Sequence, residues 1–423
     1  MIQLIRGFKD ILPEEIDTWK HIEATAVALF ESFGFREIRL PLVEKAELFQ
    51  RSIGENTDIV EKEMYTFSTG GDELITLRPE ATASVVRSYI QQKLYAPDPV
   101  RKLYTIGPMF RRERPQKGRY RQFYQINAEV FGVDSPYMDA QLIYMLWTFF
   151  TRLEISGLTV QINSLGCPAC RPAFKAALSD YLTVKAGDLC TDCVRRLDKN
   201  PLRVLDCKVP SCQAAIIDAP SMTDYLCDSC ARHFGTVQAA LASENIPYVL
   251  NPRLVRGLDY YTRTAFEIQT DALGAQNAIA GGGRYDMLVE MLGGPAQPAV
   301  GFAIGLDRLA ALLMQDRPVA AKAPDIFIAA LGAETKDKTF AWSCALAAQG
   351  VRTEIDFSNK SLKALMKRAD RTGADHVMMV GDREMAEGAV ILRNMRTKEQ
   401  TAIPVDGLVD HVQKYLKNQE SKT

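Results

Sequence analysis

One run of sixteen residues, "FRRERPQKGRYRQFYQ" (110–125), which continues into "INAEVFG", constrains this chain more than any other stretch. It holds six basic residues and one acid, then turns into alternating aromatic, polar and aliphatic positions. A solvated charge run does not usually lead into a strand, and a core strand does not usually carry arginines. Two strands, about 103–111 and 121–132, joined by a basic turn at Gln116, Lys117 and Gly118, reconcile both halves as a long hairpin. Residues two apart on a strand share a face. Phe123, Gln125, Asn127 and Glu129 therefore point one way, and Tyr124, Ile126, Ala128 and Val130 the other. Gln125 and Glu129 lie roughly 13 Å apart on that face, the span of an amino acid and the groups around it. A carboxylate there is costly to bury alone, so Glu129 is either half of an internal ion pair or a ligand contact. Arg111 and Arg112 face opposite sides of their strand, and only one can join such a pocket. Arg111, Arg119 and Arg121 offer planar forks suited to phosphate oxygens; a solvated, salt-bridged edge is the plainer alternative.

At 423 residues the chain exceeds one ordinary domain. Its 51 Lys and Arg against 52 Asp and Glu leave a net charge of −1, so contact with nucleic acid must come from local basic patches. No apolar run reaches the roughly 18–20 residues of a membrane span, and "MIQLIRGFKDILPEE" has no signal-peptide apolar region. A cytoplasmic protein without membrane association is expected. Pro13 starts a helix to about Phe33, with Ile16, Trp19, Ala26, Val27 and Phe30 on its apolar side. "GFREIRLPLVEKAELF" reads as a strand with a proline break, followed by a polar loop through Asn56. "RPEATASVVRSYIQQ" reads as a helix with Glu80 in its first turn. "MQDRPVAAKAP" (314–324) is a linker, after which short β-rich runs alternate with helical ones, the pattern of a small α/β domain. In "NKSLKALMKRADR", Leu362, Leu365, Met366 and Ala369 form one helical face. Lys360, Lys363, Lys367 and Arg371 form another, either solvated or turned to RNA.

"RGLDYYTRTAFE" places Arg256 before a tight Gly257 turn, with Tyr260 and Tyr261 at a strand entrance. Those phenols either line a ligand or fill a core. "GGGRY" (281–285) reads as a close-approach loop that fits neither the dinucleotide fingerprint nor the Walker pattern. "GLDRL" sets Arg308 at the start of a helix. Eight of the nine cysteines fall as Cys167 with Cys170, Cys190 with Cys193, Cys207 with Cys212, and Cys227 with Cys230. Such spacing suits closed tetrahedral zinc sites, structural and not catalytic, whose pairing the spacing leaves open; a thiol-rich helical insert without metal is the alternative.

Taken together these stretches resemble the histidyl-tRNA synthetases, a family of class II aminoacyl-tRNA synthetases. "FRRERPQKGRYRQFYQ" is similar to their motif 2, "PAVGFAIGLDRL" to motif 3, and the stretch around Pro41 to motif 1. "RGLDYYTRTAFE" resembles a histidine-specific segment, and "RGFKDILP" and "TLRPEATAS" also match. The resemblance implies an α+β fold: a class II antiparallel sheet with flanking helices in residues 1–320, a helical insertion at about 167–232, and a C-terminal α/β anticodon-binding domain in 325–423. It implies a homodimer built partly on motif 1, and ATP-dependent ligation of L-histidine to its cognate tRNA through histidyl-adenylate, with release of AMP and diphosphate. Mg²⁺ accompanies the ATP. By resemblance Arg111 holds the α-phosphate, Arg119 and Arg121 lie toward the nucleotide, and Arg308 meets the ATP tail. Arg256 faces the transferring phosphoryl group, and Gln116 and Lys117 approach the tRNA acceptor end. Glu80, Thr82 and Gln125 contact the α-amino group, Glu129 and Tyr261 read the imidazole, Tyr285 lies near the ring, and Tyr260 belongs to the same pocket. A buried carboxylate and phenol reject isosteres strongly, so no editing domain is expected. A catalytically silent regulatory paralogue and a tRNA-sensing pseudo-synthetase are the rival readings.

Overall fold

Pro13 opens helix α1 (Pro13–Ser32), where its fixed φ and missing N–H suit the first helical position. One side of α1, through Trp19, Ile22, Ala26 and Phe30, is buried. In the computed structural model, the described residues are 1–54, 57–115, 118–272, 277–316, 323–332, 335–358 and 360–420. Their contacts divide the chain into two units, Met1–Val319 and Ala320–Thr423.

The first unit is built on an eight-stranded sheet: β1 (Arg36–Glu37), β5 (Arg101–Phe110), β6 (Gln122–Phe131), β7 (Leu158–Ser164), β8 (Tyr248–Leu250), β9 (Thr262–Thr270), β10 (Ala278–Arg284) and β11 (Ala299–Gly305). Their order is β1-β5-β6-β11-β10-β9-β7-β8. The six central strands pair antiparallel, while the short edge strands β1 and β8 pair parallel to β5 and β7. β2 (Val43–Lys45), β3 (Tyr65–Ser68) and β4 (Leu74–Leu77) form a small second sheet. The long hairpin is β5–β6, with Gln125 opposite Gly107 and Glu129 opposite Leu103.

Strand alternation gives the large sheet two unlike faces. Ile126, Ala128 and Val130 of β6, Phe266 of β9 and Phe302 of β11 join the main core with α1. That core also takes Leu142, Leu146 and Phe149 of α4 (Pro136–Arg152) and Leu309 of α10 (Leu306–Asp316). Gln125, Asn127 and Glu129 face the other way, as the two-residue period requires. The remaining helices of this unit are α2 (Ala46–Ile53), α3 (Thr82–Gln91), α5 (Arg171–Val184), α6 (Thr191–Lys199), α7 (Pro210–Ala215), α8 (Asp228–Ser243) and α9 (Leu288–Met291).

Three local expectations are corrected. Residues 46–53, read as the end of a strand and the start of a polar loop, form α2, whose Phe49 and Ile53 are buried at 0% exposure. Glu80 precedes α3 instead of riding in its first turn. The three glycines 281–283 form no loop but the middle of β10, between β9 and β11. The second unit carries the sheet β13-β12-β14-β15-β16, in which β12 (Ile326–Ala330) pairs parallel with β13 (Thr353–Ile355) and β14 (His376–Val380). β15 (Ala389–Asn394) and β16 (Gln400–Pro404) add antiparallel. Of the apolar face assigned to α12 (Leu362–Thr372), Leu365 and Ala369 are buried while Leu362 is exposed.

Candidate active site

On the face of the large sheet away from the main core lies a cavity of about 280 Å³. Arg111, Arg119, Arg256 and Arg308 line it, from the hairpin, the segment before β9 and the start of α10. Each guanidinium is held by local acceptors. Arg111 donates from Nε to the Pro79 carbonyl at 2.9 Å and lies over the Phe123 ring, 5.3 Å from its centroid. Arg119 Nε meets Glu113 Oε2 at 2.8 Å. Arg308 donates to the carbonyl of Ala278 at 2.9 Å and to that of Gly118 at 3.3 Å. Arg256 bonds Glu267 Oε2 at 3.1 Å and lies 5.7 Å from the Tyr261 ring centroid. Gly281 makes room for it: a Cβ there would stand 2.4 Å from Arg256 Nη2.

Glu80, Thr82, Gln125, Tyr260 and Tyr261 line the same cavity. The Glu80 carboxylate accepts from the backbone N–H groups of Thr82 at 2.7 Å and Ala83 at 3.0 Å, donors that the first turn of α3 leaves without helical partners. Burial raises its pKa, against the pull of those amides and of Arg111. Glu129 and Tyr285 stand just behind the lining. Glu129 is 1% exposed and accepts from Thr82 Oγ1 at 2.6 Å and from the Tyr285 hydroxyl. Burial pushes its carboxyl up to about 8, although both hydrogen bonds favour ionisation. Gly301, across the ladder, leaves it space, since a Cβ there would lie 1.7 Å from Glu129 Oε2. Tyr260, Tyr261 and Tyr285 pack with ring centroids 4.7–6.4 Å apart. Gln125 Oε1, Asn127 Oδ1 and Arg256 Nε are buried and have no hydrogen-bond partner among the described residues. Unpaired polar groups at a cavity wall are what a polar ligand would satisfy.

Arg121 departs from the expectation. It precedes β6 and turns to the chain's beginning: its N–H bonds the Gly7 carbonyl at 2.7 Å, and Nη1 bonds the Arg6 carbonyl at 3.2 Å. It does not line the cavity. Gln116 and Lys117 lie outside the described residues. The eight paired cysteines gather as two groups of four in the helical insertion. On α12, Lys363, Lys367 and Arg371 are exposed, while Lys360 pairs with Asp356 at 3.1 Å.

Several residues of the site escaped sequence reasoning. Glu113, Glu267 and Asp307 also line the cavity. Asp307 accepts from the Tyr124 N–H at 2.6 Å, and burial lifts its carboxyl to about 6. The alternation of "TAFEIQT" carried the signal for Glu267, which sits between the core residues Phe266 and Ile268. Arg284, at 0% exposure, bonds Asp139, Asp286 and the carbonyls of Val133 and Ser135, and His233 shares Asp139 at 2.7 Å. Truncating it strands a buried acid. Arg284→Ala is therefore expected to cost about 3–5 kcal/mol of stability, read by denaturant unfolding; a loss below about 1 kcal/mol would refute this account of the network.

The sheet order and the arginine-lined cavity on its open face define a class II aminoacyl-tRNA synthetase architecture. A family model described as Histidyl-tRNA synthetase matches residues 7–309, and one described as Anticodon binding domain matches residues 325–415. The chain belongs to the histidyl-tRNA synthetase family. It is 59% identical to a histidine–tRNA ligase of Desulforapulum autotrophicum, over 99% of each chain. It is 54% identical to one of Geobacter sulfurreducens, over 96% of this chain and 98% of that one. The crystal structure of apo histidyl-tRNA synthetase from S. aureus superposes with a TM-score of 0.82 at 36% identity, covering 97% of this chain and 99% of that one.

Proposed function

We propose that this protein ligates L-histidine to its cognate tRNA in two steps: histidine and ATP give histidyl-adenylate and diphosphate, then the acyl group passes to the terminal adenosine and AMP leaves. The convergence of Arg111, Arg119, Arg256 and Arg308 on one cavity, beside a tyrosine-lined niche backed by Glu129, carries this reading. Adenylation is an in-line displacement at phosphorus with the substrate carboxylate as nucleophile, so the protein need only position the reactants and offset charge. Arg111 would hold the α-phosphate, Arg256 would face the transferring group, and Arg119 and Arg308 would steady the nucleotide. Glu80, Thr82 and Gln125 would take the α-ammonium, and Tyr260, Tyr261, Tyr285 and Glu129 the imidazole. Residues Gln116 and Lys117 are assigned to the tRNA acceptor end by resemblance alone.

Mg²⁺, when bound with ATP, would screen phosphate charge. Glu113 and Glu267 beside Arg119 and Arg256 are hard oxygen donors of the kind it takes. Cys167, Cys170, Cys190, Cys193, Cys207, Cys212, Cys227 and Cys230 are proposed as ligands of structural zinc. The 325–423 region would grip the anticodon arm, with exposed Lys363, Lys367 and Arg371 toward RNA. Exposed Val43 and Phe67, which share one face of the small sheet, would contribute apolar surface to a homodimer. No helix among the described residues is long and apolar enough to cross a membrane, and cytoplasmic residence fits a partner that is tRNA.

Histidine-dependent exchange of labelled pyrophosphate into ATP tests the reading. Exchange is expected with histidine and not without it. Its absence from folded protein would overturn the ligase reading in favour of a regulatory or tRNA-sensing role.

A further inference from the structure

Four cysteine pairs can be combined two by two in three ways, and the fold selects one. Cys167 and Cys170 stand between β7 and α5, and Cys227 and Cys230 open α8; their four sulfurs lie within 4.8 Å of one another. Cys190, Cys193, Cys207 and Cys212 form a second such group. The groups are therefore nested: the outer one closes the insertion where it leaves and rejoins the body, and the inner one sits wholly within it.

Both cages have the size of a single ion. Four thiolates about 2.3 Å from one tetrahedral metal stand about 3.8 Å apart. The separations here are 3.5 Å for Cys167–Cys170, 3.9 Å for Cys167–Cys227 and 3.9 Å for Cys190–Cys207. Each cage also receives a backbone N–H on sulfur: Cys227 N–H to Cys170 at 3.1 Å, and Cys190 N–H to Cys212 at 3.1 Å. Such bonds spread thiolate charge as outer contacts of a metal site do. The apolar core between the cages is small, built on Phe174, Leu178, Leu182, Val204 and Leu205, and a unit of this size usually needs a staple.

What the cages hold in place lies in the active site. Arg171, directly after Cys170, donates to the Tyr261 carbonyl. Between Cys193 and Cys207, Asn200 bonds Asp259 at 3.0 Å, and Arg203 donates to the Gly257 carbonyl at 2.7 Å. The segment carrying Arg256, Tyr260 and Tyr261 is thus gripped by one residue next to the outer cage and two within the inner loop.

We infer that the insertion binds two zinc-class ions, one in each nested Cys₄ cage, and that these ions act through Arg171, Asn200 and Arg203 to position the 256–261 segment. This rests on the proposed ligase function and zinc content. Metal analysis of the full chain purified without chelators is expected to give two equivalents of zinc. Metal-free protein is expected to take up two equivalents of cobalt with the visible absorption of tetrahedral cobalt thiolate. Cys190→Ser with Cys193→Ser is expected to remove one equivalent and keep the other. Fewer than about one equivalent in the parent overturns the metal sites, whatever the exchange activity. Arg203, a positioning residue, separates the second half. Arg203→Ala is expected to keep both ions, lower kcat for pyrophosphate exchange about tenfold, and leave KM for histidine and ATP within about threefold. Arg203→Lys, which retains one donor, is expected to recover part of the loss. An unchanged kcat in Arg203→Ala overturns the positioning role and leaves the metal sites standing.

Discussion

Replacing Arg256 by alanine is expected to lower kcat for histidine-dependent pyrophosphate exchange by on the order of 10³, equivalent to about 4 kcal/mol of transition-state stabilisation. Equilibrium binding of histidine should change by no more than about threefold. The difference follows from position. Arg256 lines the cavity between the Tyr261 ring and Glu267, and its Nε is buried without a partner among the described residues. A cation so placed gains most when negative charge builds at phosphorus and little when an uncharged ring enters the tyrosine niche. Arg256→Lys keeps the charge but loses the planar fork, and an intermediate rate is expected. Calorimetric titration with histidine alone supplies the binding arm. Equal losses in binding and rate would show that Arg256 shapes the amino-acid niche and does not act on the phosphoryl group.

Local rules made the hairpin and the arginine sites legible. Alternation alone assigns Gln125 and Asn127 to the face opposite Ile126 and Ala128, and Pro13 marks the start of α1 within the residue. The basic run could be read as serving an anion because charge on a strand needs a reason. What stayed hidden depends on contacts distant in sequence. Arg121 has the same chemistry as Arg119, but its backbone N–H meets the Gly7 carbonyl and its guanidinium the carbonyls of Glu113 and of Arg6, the last more than a hundred residues away.

Nothing in the linear sequence marks Arg284 and Arg78 as buried. Yet Arg284 is buried on Asp139, and Arg78 bonds the carbonyls of Leu40, Pro41 and Pro108. The glycines of "GGGRY" suggested a loop because three of them let a backbone lie close against a ligand or another strand. Close approach of Arg256 at Gly281 is the overriding need here. Cysteine spacing revealed pairs but could not say which pairs meet, since that is fixed by where β7 and α8 come together.

Glu129→Gln is expected to flatten the pH dependence of stability while crippling histidine activation. Burial pushes the Glu129 carboxyl in the folded protein up to about 8, far above the ordinary carboxylate range near 4.5. Across that interval the folded state holds a proton that the unfolded chain has released. The stability contributed by this group is therefore complete at the acid end and is lost as pH climbs toward 8, by on the order of 5 kcal/mol at most. Glutamine mimics the neutral acid and cannot ionise, so variant and parent should converge in acid. The variant should gain on the parent as pH rises from about 4.5 and be the more stable by about pH 8, as thermal unfolding across about pH 4.5 to 8.5 would read. Parallel curves would mean that Glu129 is ionised in the folded state throughout. Function should move the opposite way. An imidazole N–H arriving beside Thr82 and Tyr285 gives the carboxylate a donor, which favours the ionised form and strengthens the hydrogen bond. Glutamine supplies a weaker acceptor, and kcat/KM for histidine is expected to fall about 10²-fold with KM for ATP unchanged. A variant that gained stability and kept its histidine kinetics would reduce Glu129 to a buried acid of the wall and leave the reading of the ring to Tyr261.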